Sequence, residues 1–253
     1  AAHIAQRLID ELKRPFALEG REVFIAGSIG ITMPPRGRPI PSAADLIREA
    51  DTALYQAKEA GRGRAITYDP AMMHRAIERM DLETDLRFAL TRGELRLVYQ
   101  PEVDLETGQI VGMEALLRWD HPRRGQVSPA ELIPIAEETG MIVPIGWWVL
   151  DEACRQGLQW QQHATGTQPI VMSVNISPRQ FQEIGFVERV AAALRNTGLP
   201  PDCLRLEITE STLMDEAVEA EETILRLKNL GVRVAIDDFG TGYSSLSYLR
   251  RFS

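Results

Sequence analysis

The sequence predicts an α/β fold: an incomplete (β/α) barrel with an antiparallel first strand, preceded by a smaller α+β block. Three observations carry that expectation. Two strand-like runs, Leu97 to Leu105 and Ile110 to Trp119, are joined only by the turn Glu106-Thr107-Gly108-Gln109, so they pair antiparallel. From Ser128 onward helical and strand patterns alternate, with strands near Ile170, Leu204 and Val232, which implies right-handed parallel crossovers. Finally, apolar runs finish on Glu114, Asn175, Glu207 and Asp237-Asp238, the placement expected where parallel strand ends carry a site.

The chain reads as three segments. Residues 1–70 hold a helix from Ile4 to Lys13, a strand from Val23 to Thr32, a loop rich in proline (Pro34, Pro35, Pro39, Pro41) and a helix from Ala43 to Ala60 that stops at Gly61. Tyr68-Asp69-Pro70 punctuates the chain. Residues 71–92 form a connecting helix with apolar positions at Met73, Ile77 and Met80, then Leu82, Leu86 and Leu90. Residues 93–253 form the longer block. There Ser128-Pro129-Ala130-Glu131 has the pattern of a capping box with proline at the first helical position, and Gly140 fits the end of that helix. Val187, Val190, Ala191 and Leu194 make one helical face before Gly198, and Ala217, Ala220, Ile224 and Leu227 make another before Gly231.

Composition narrows the classes of function. A net charge of −8 argues against a general DNA- or RNA-binding surface, so an anionic substrate has to be met by local arginines or bound cations. Two cysteines, Cys154 and Cys203, make neither a disulfide framework nor a zinc pattern, which points to a reducing, cytoplasmic setting. The most apolar stretch, Met141 to Leu150, is short and interrupted by Pro144 and Gly146, so no membrane contact is expected from this segment, although a longer parent could be anchored through upstream domains.

Side-chain period decides which residues can share a site. Glu114 and Arg118 lie on one face of their strand, and Arg205, Glu207 and Thr209 lie opposite Leu204, Leu206 and Ile208 on theirs. Polar residues are therefore expected to face the barrel axis. Oxygen donors at several strand ends suit magnesium or manganese, which prefer carboxylate and carbonyl oxygen to imidazole or thiolate. Adjacent Asp237 and Asp238 both reach one site only if the strand ends and the backbone turns there, which Gly240 and Gly242 permit. Plainer readings stand beside these. Asn175 alternatively satisfies a turn, Arg118 pairs with a carboxylate, His121 before Pro122 is structural, and Trp147, Trp148 and Trp160 pack helices.

Four ordered stretches carry a family resemblance: Glu114-Ala115-Leu116-Leu117-Arg118-Trp119, Val174-Asn175-Ile176-Ser177, Glu207-Ile208-Thr209-Glu210-Ser211, and Asp237-Asp238-Phe239-Gly240-Thr241-Gly242-Tyr243 onward. Together they resemble the successive motifs of the EAL domain, a cyclic-di-GMP phosphodiesterase on a modified TIM barrel, over about Leu86 to Ser253. The resemblance implies that Glu114, Asn175, Glu207 and Asp237 hold one of two Mg2+ or Mn2+ ions, with Asp237 and Asp238 serving the second. It further implies that Arg118 meets substrate phosphate, Gln100 touches substrate, Glu210 braces the loop from Asp238 to Leu246, and the domain pairs as a homodimer. Ala26 to Ile31 and Ala50 to Arg64 are similar to the C-terminal half of a GGDEF domain, with Lys58 and Arg62 at phosphate-contacting positions but no signature motif.

In the EAL family a Lys-x-Asp motif, a later glutamate and a later glutamine complete the catalytic set, and Arg251-Phe252-Ser253 precedes all three. The expectation is therefore a fragment of a tandem GGDEF-EAL protein, inactive by itself, whose parent hydrolyses cyclic di-GMP to the linear dinucleotide. The alternative is a receptor or interaction module that binds cyclic di-GMP without turnover.

Overall fold

The structure, a computed structural model, describes residues 1–18, 21–34, 41–163, 169–210, 212 and 217–237. Two compact units divide it, Ala1–Leu82 and Glu83–Ser253.

In the first unit, helix α1 (Ala2–Leu12) precedes a hairpin of β1 (Phe16–Leu18) and β2 (Arg21–Val23). Strand β3 (Ile29–Ile31) runs parallel to β4 (Ala65–Thr67), with α2 (Ala43–Glu59) between them in sequence. The single strand expected from Val23 to Thr32 is thus two short strands. The backbone changes partner between them, because β2 pairs with β1 and β3 with β4, and at Gly27 it passes so close to α1 that a Cβ would lie 2.6 Å from Leu12 Cδ1. Ser42 caps α2, its Oγ accepting from the Asp45 amide at 3.1 Å, and Ala53 and Ala57 are fully buried. Gly30 lets the α2 backbone approach β3 directly, since a Cβ there would collide with the Ala50 carbonyl and the Leu54 amide.

Helix α3 (Pro70–Ala89) leads into the second unit, where its Leu86 and Ala89 are buried. Strands β5 (Leu95–Val103) and β6 (Ile110–His121) form the expected antiparallel pair, with an irregularity at Glu102/Val103. Asp104 closes their turn, its Oδ1 accepting from the Thr107 amide at 2.8 Å, and Gly108 takes φ +68°. A further short strand, β7 (Gly125–Val127), pairs back on β6 without any forewarning in the hydrophobic pattern. Its turn is organised by His121, which is 2% exposed: the Arg123 and Arg124 amides donate to Nδ1 at 3.2 and 3.3 Å, and Nε2 faces Asp85 Oδ2 at 3.1 Å. Arg123 also donates to Asp85 at 2.7 Å, so α3 is tied to the end of β6.

The chain then alternates: α4 (Pro129–Thr139), α5 (Ile142–His163), β8 (Val171–Ile176), α6 (Pro178–Phe181), α7 (Phe186–Thr197), a 3-10 turn (Pro201–Cys203), β9 (Leu204–Thr209), α8 (Ala217–Asn229) and β10 (Arg233–Asp237). Ser128 caps α4 through its Oγ, and Gly140, Gly198 and Gly231 take left-handed φ of +74°, +82° and +92° where helices end. Helix α5 runs unbroken past Pro144 and Gly146. Pro144 falls in the first turn, where no intrahelical N–H bond is lost, and Gly146 provides a close approach. No helix among the described residues is long and apolar enough to cross a membrane.

One sheet organises this unit, in the order β10-β9-β8-β6-β5 with β7 also on β6. Strands β6, β8, β9 and β10 are mutually parallel, and β5 is antiparallel to β6. This is the α/β, barrel-like arrangement with an antiparallel first strand, present among the described residues as an open arc. Leu204, Leu206 and Ile208 are buried while Arg205, Glu207 and Thr209 are half-buried, so the aliphatic face of β9 is the covered one. Trp147 packs tilted against Phe186 of α7, as helix packing predicts, whereas Trp160 meets Tyr99 of strand β5 edge to face. Cys154 and Cys203 are buried free thiols, and burial, aided by Asp151, pushes Cys154 up to about 12.

Gly30→Ala should destabilise the first unit by about 1–3 kcal/mol, the usual penalty for overpacking, or more because the obstruction is backbone. Denaturant unfolding followed by α2 amide exchange checks it. For Asp85, the hydrogen bond from Arg123 and then that from His121 hold the carboxyl below the usual range. A depressed pKa stabilises the fold above the unfolded-state value of about 3.9 and loses that contribution as pH falls through the folded-state value. Asp85→Asn should therefore lower the unfolding midpoint at pH 7, with the gap to the parent closing in acid. A gap that widens in acid contradicts the assignment.

Candidate functional site

Strand register brings the candidate residues to one face. Gln100 on β5 lies opposite Glu114 on β6, Glu114 opposite Ser173 on β8, and Ser173 opposite Arg205 on β9. Two residues further along, Asn175 lies opposite Glu207, and two further again Thr209 lies opposite Asp237 on β10. The candidates thus climb along successive strands, the stagger that tilted strands of a barrel-like sheet require.

Two interactions tie these residues together. Asn175 Nδ2 donates to Glu114 Oε1 at 2.8 Å, joining β8 to β6 at the site. The Glu207 carboxyl is raised from its ordinary pKa by burial first, opposed by a hydrogen bond from the Ser173 hydroxyl, and raised further by the negative charges of Glu114, Glu102 and Asp237. Like charges gathered in a half-buried place are what a cation would relieve, and the donors are hard oxygens of the type that Mg2+ and Mn2+ prefer. Among the described residues, however, no group of three or more His, Cys, Asp or Glu side chains stands within metal-holding reach of a common point. Asp238 and the loop to Leu246 lie outside the described residues. Glu210, the expected brace of that loop, is buried immediately after β9, next to a Thr209–Thr212 hydroxyl contact of 2.9 Å.

Arg118 sits on the Glu114 face, half-buried, and donates from Nη1 to the Leu117 carbonyl at 2.8 Å. It lines a cavity of about 480 Å3 together with Asn175, Glu207 and Thr209. The remaining wall is largely apolar, with Ile133, Ile145 and Val149 prominent. Gln180 also lines it. That side chain is 1% exposed, is pressed against Gly146 of α5, and has an Nε2 without a hydrogen-bond partner. Neither Glu102, Ser173 nor Gln180 stands out as a motif. Glu102 was findable by period alone, two residues beyond Gln100 on the same face, whereas Gln180 is revealed only by packing.

Residues 83–253 match the sequence model of the EAL domain, and residues 1–64 match that of the diguanylate cyclase, GGDEF domain. The bifunctional diguanylate cyclase/cyclic di-GMP phosphodiesterase MucR of Pseudomonas aeruginosa is 43% identical over 253 residues, covering 99% of this chain and 36% of MucR. The cyclic di-GMP phosphodiesterase NbdA of the same organism is 38% identical over 251 residues, covering 99% of this chain and 32% of NbdA. A solved structure of the phosphodiesterase PaMucR in complex with c-di-GMP is 48% identical, with a TM-score of 0.64 and coverage of 68% of each chain. The chain spans about a third of the length of the curated relatives it matches.

Glu114→Gln should lower the pKa of Glu207, because one of the neighbouring charges that disfavours its ionised form is removed. Carboxyl-carbon NMR titration of Glu207 reads this directly, and an unchanged or raised value means the two groups are not coupled.

Proposed function

The chain belongs to the EAL domain family through residues 83–253, preceded by a GGDEF region at 1–64, and from that premise we propose that it is the catalytic module of a cyclic-di-GMP phosphodiesterase. The carrying observation is the influence of the Glu114 and Asp237 charges on half-buried Glu207 across one face of the parallel strands β6, β8, β9 and β10, with Asn175 bonded to Glu114. Relatives named as cyclic di-GMP phosphodiesterases support the substrate, as does the PaMucR structure in complex with c-di-GMP.

In this reading Glu114, Asn175, Glu207 and Asp237 hold one divalent ion, and Asp237 with Asp238 holds a second. Bound Mg2+ or Mn2+ supplies neutralisation of phosphate charge and a more acidic water at neutral pH. The chain's own residues do the rest. Arg118 donates to phosphate oxygens as a planar fork, Asn175 keeps Glu114 turned towards the site, and Gln100 contacts the substrate from β5. Glu210 braces the Asp238 to Leu246 loop. The apolar cavity wall accommodates the flat face of a base, and Gln180 Nε2 supplies a donor to a ring acceptor. Water adds to phosphorus as the bond to one bridging ribose oxygen breaks, a proton from the water passing to the departing oxygen, so the ring opens to linear pGpG. The domain works as a homodimer in the cytoplasm, within a protein that upstream domains can anchor.

Cyclic di-GMP turnover by the intact protein, followed by chromatography of pGpG, tests the reading. Magnesium or manganese should support hydrolysis, chelator should abolish it, and calcium should fail because its longer, looser coordination suits the site poorly. Undiminished turnover in excess chelator would sink the metal mechanism. Glu114→Ala and Asp237→Ala should each abolish turnover while leaving the circular dichroism spectrum intact. Tight binding of cyclic di-GMP with no turnover by the unmodified protein favours a receptor instead.

A further inference from the structure

We propose that Glu102 and Arg205 are positioning residues: an ion pair stretched across the inner face of the sheet from β5 to β9, which holds the metal-binding carboxylates of the proposed phosphodiesterase in register. The inference rests on that functional reading.

The geometry is specific. Arg205 Nη1 donates to Glu102 Oε2 at 2.6 Å and approaches Ser173 Oγ at 3.3 Å, while Ser173 Oγ donates to Glu102 Oε1 at 2.8 Å. Strands β5 and β9 are not neighbours, for β6 and β8 lie between them. At about 4.8 Å per strand, three spacings in a flat sheet are about 14 Å, a distance a glutamate and an arginine bridge poorly. The pair closes because the sheet curls, and once closed it fastens the curl. Gly112 makes this possible on β6: a Cβ there would stand 2.5 Å from Glu102 Oε2, so the carboxylate crosses over a strand that has no side chain in its way.

The choice of residues also needs explaining. Barrel interiors are ordinarily filled by layers of branched aliphatics, and a packed apolar layer commonly stabilises as well as an ion pair or better. Here Glu102, Ser173 and Arg205 occupy such a layer. What the polar set offers is placement. Ser173 is fully buried and lies between Glu114 and Arg205 in one register row, and its hydroxyl donates to Glu102. A hydroxyl has one proton to donate, and Glu102 takes it while Arg205 approaches the same oxygen as donor. Through Ser173 the pair is fastened to β8, and through the curl it bears on the separation of Glu114 from Glu207.

The test compares Glu102→Gln, Arg205→Gln and the double exchange Glu102→Arg with Arg205→Glu in the intact protein. Mn2+ affinity is read by titration calorimetry, beside the unfolding midpoint and turnover. Partners that orient metal ligands typically matter by about 10–100-fold in affinity or activity. Each single variant should weaken Mn2+ binding within that range with little change in midpoint, and the exchange, which restores opposite charges, should recover most of the loss. The exchange still decides the matter if a single variant fails to fold. Single variants that bind Mn2+ like the parent, or an exchange weaker than either single, overturn the positioning role. An unmodified protein that binds no Mn2+ and hydrolyses nothing overturns the functional reading instead.

Discussion

Everything at the candidate site depends on the register of four parallel strands. Asn175 meets Glu114 because Gly112–Ala115 pairs with Val171–Val174, and Glu207 meets Asn175 because β9 pairs with β8 over Met172–Ile176. A slip of one residue in any pairing would turn that strand's polar set towards the helices and its aliphatic set towards the axis. Burial of Leu204, Leu206 and Ile208 on the opposite face of β9 opposes such a slip. The core and the site are therefore specified by the same alternation, read from two sides.

That alternation leaves an electrostatic problem. Burial raises the pKa of Glu207 on β9, and the carboxylates of Glu114, Glu102 and Asp237, from β6, β5 and β10, raise it further. Arg205 offsets one of them, through a direct bond to Glu102, and Asn175 offers Glu114 an amide donor. One ion pair and one amide donor thus offset part of the negative charge gathered on this face of the sheet.

Much of this was legible beforehand. Period two placed Glu114 with Arg118 and Glu207 with Arg205, turn chemistry found the β5–β6 hairpin, and left-handed glycines marked the ends of α4 and α7. Ordered motifs led to the family. What escaped notice depends on three-dimensional approach. The break between β2 and β3 comes from a change of strand partner, and β7 from a buried imidazole that collects two backbone amides. Glu102 was visible as a glutamate on the correct face, but its reach across two strands to Arg205 is a property of curvature that no linear pattern records.

Gly112 has a bearing on how this family can vary. It contributes no functional group, yet its vacancy is occupied by another strand's carboxylate. Any larger residue there would have to be accompanied by loss or relocation of the acid at position 102, so the two positions are expected to drift together across descendants of this chain. A side chain at position 112 would push the Glu102 carboxylate from its place over β6, and with it the brace between β5 and β9.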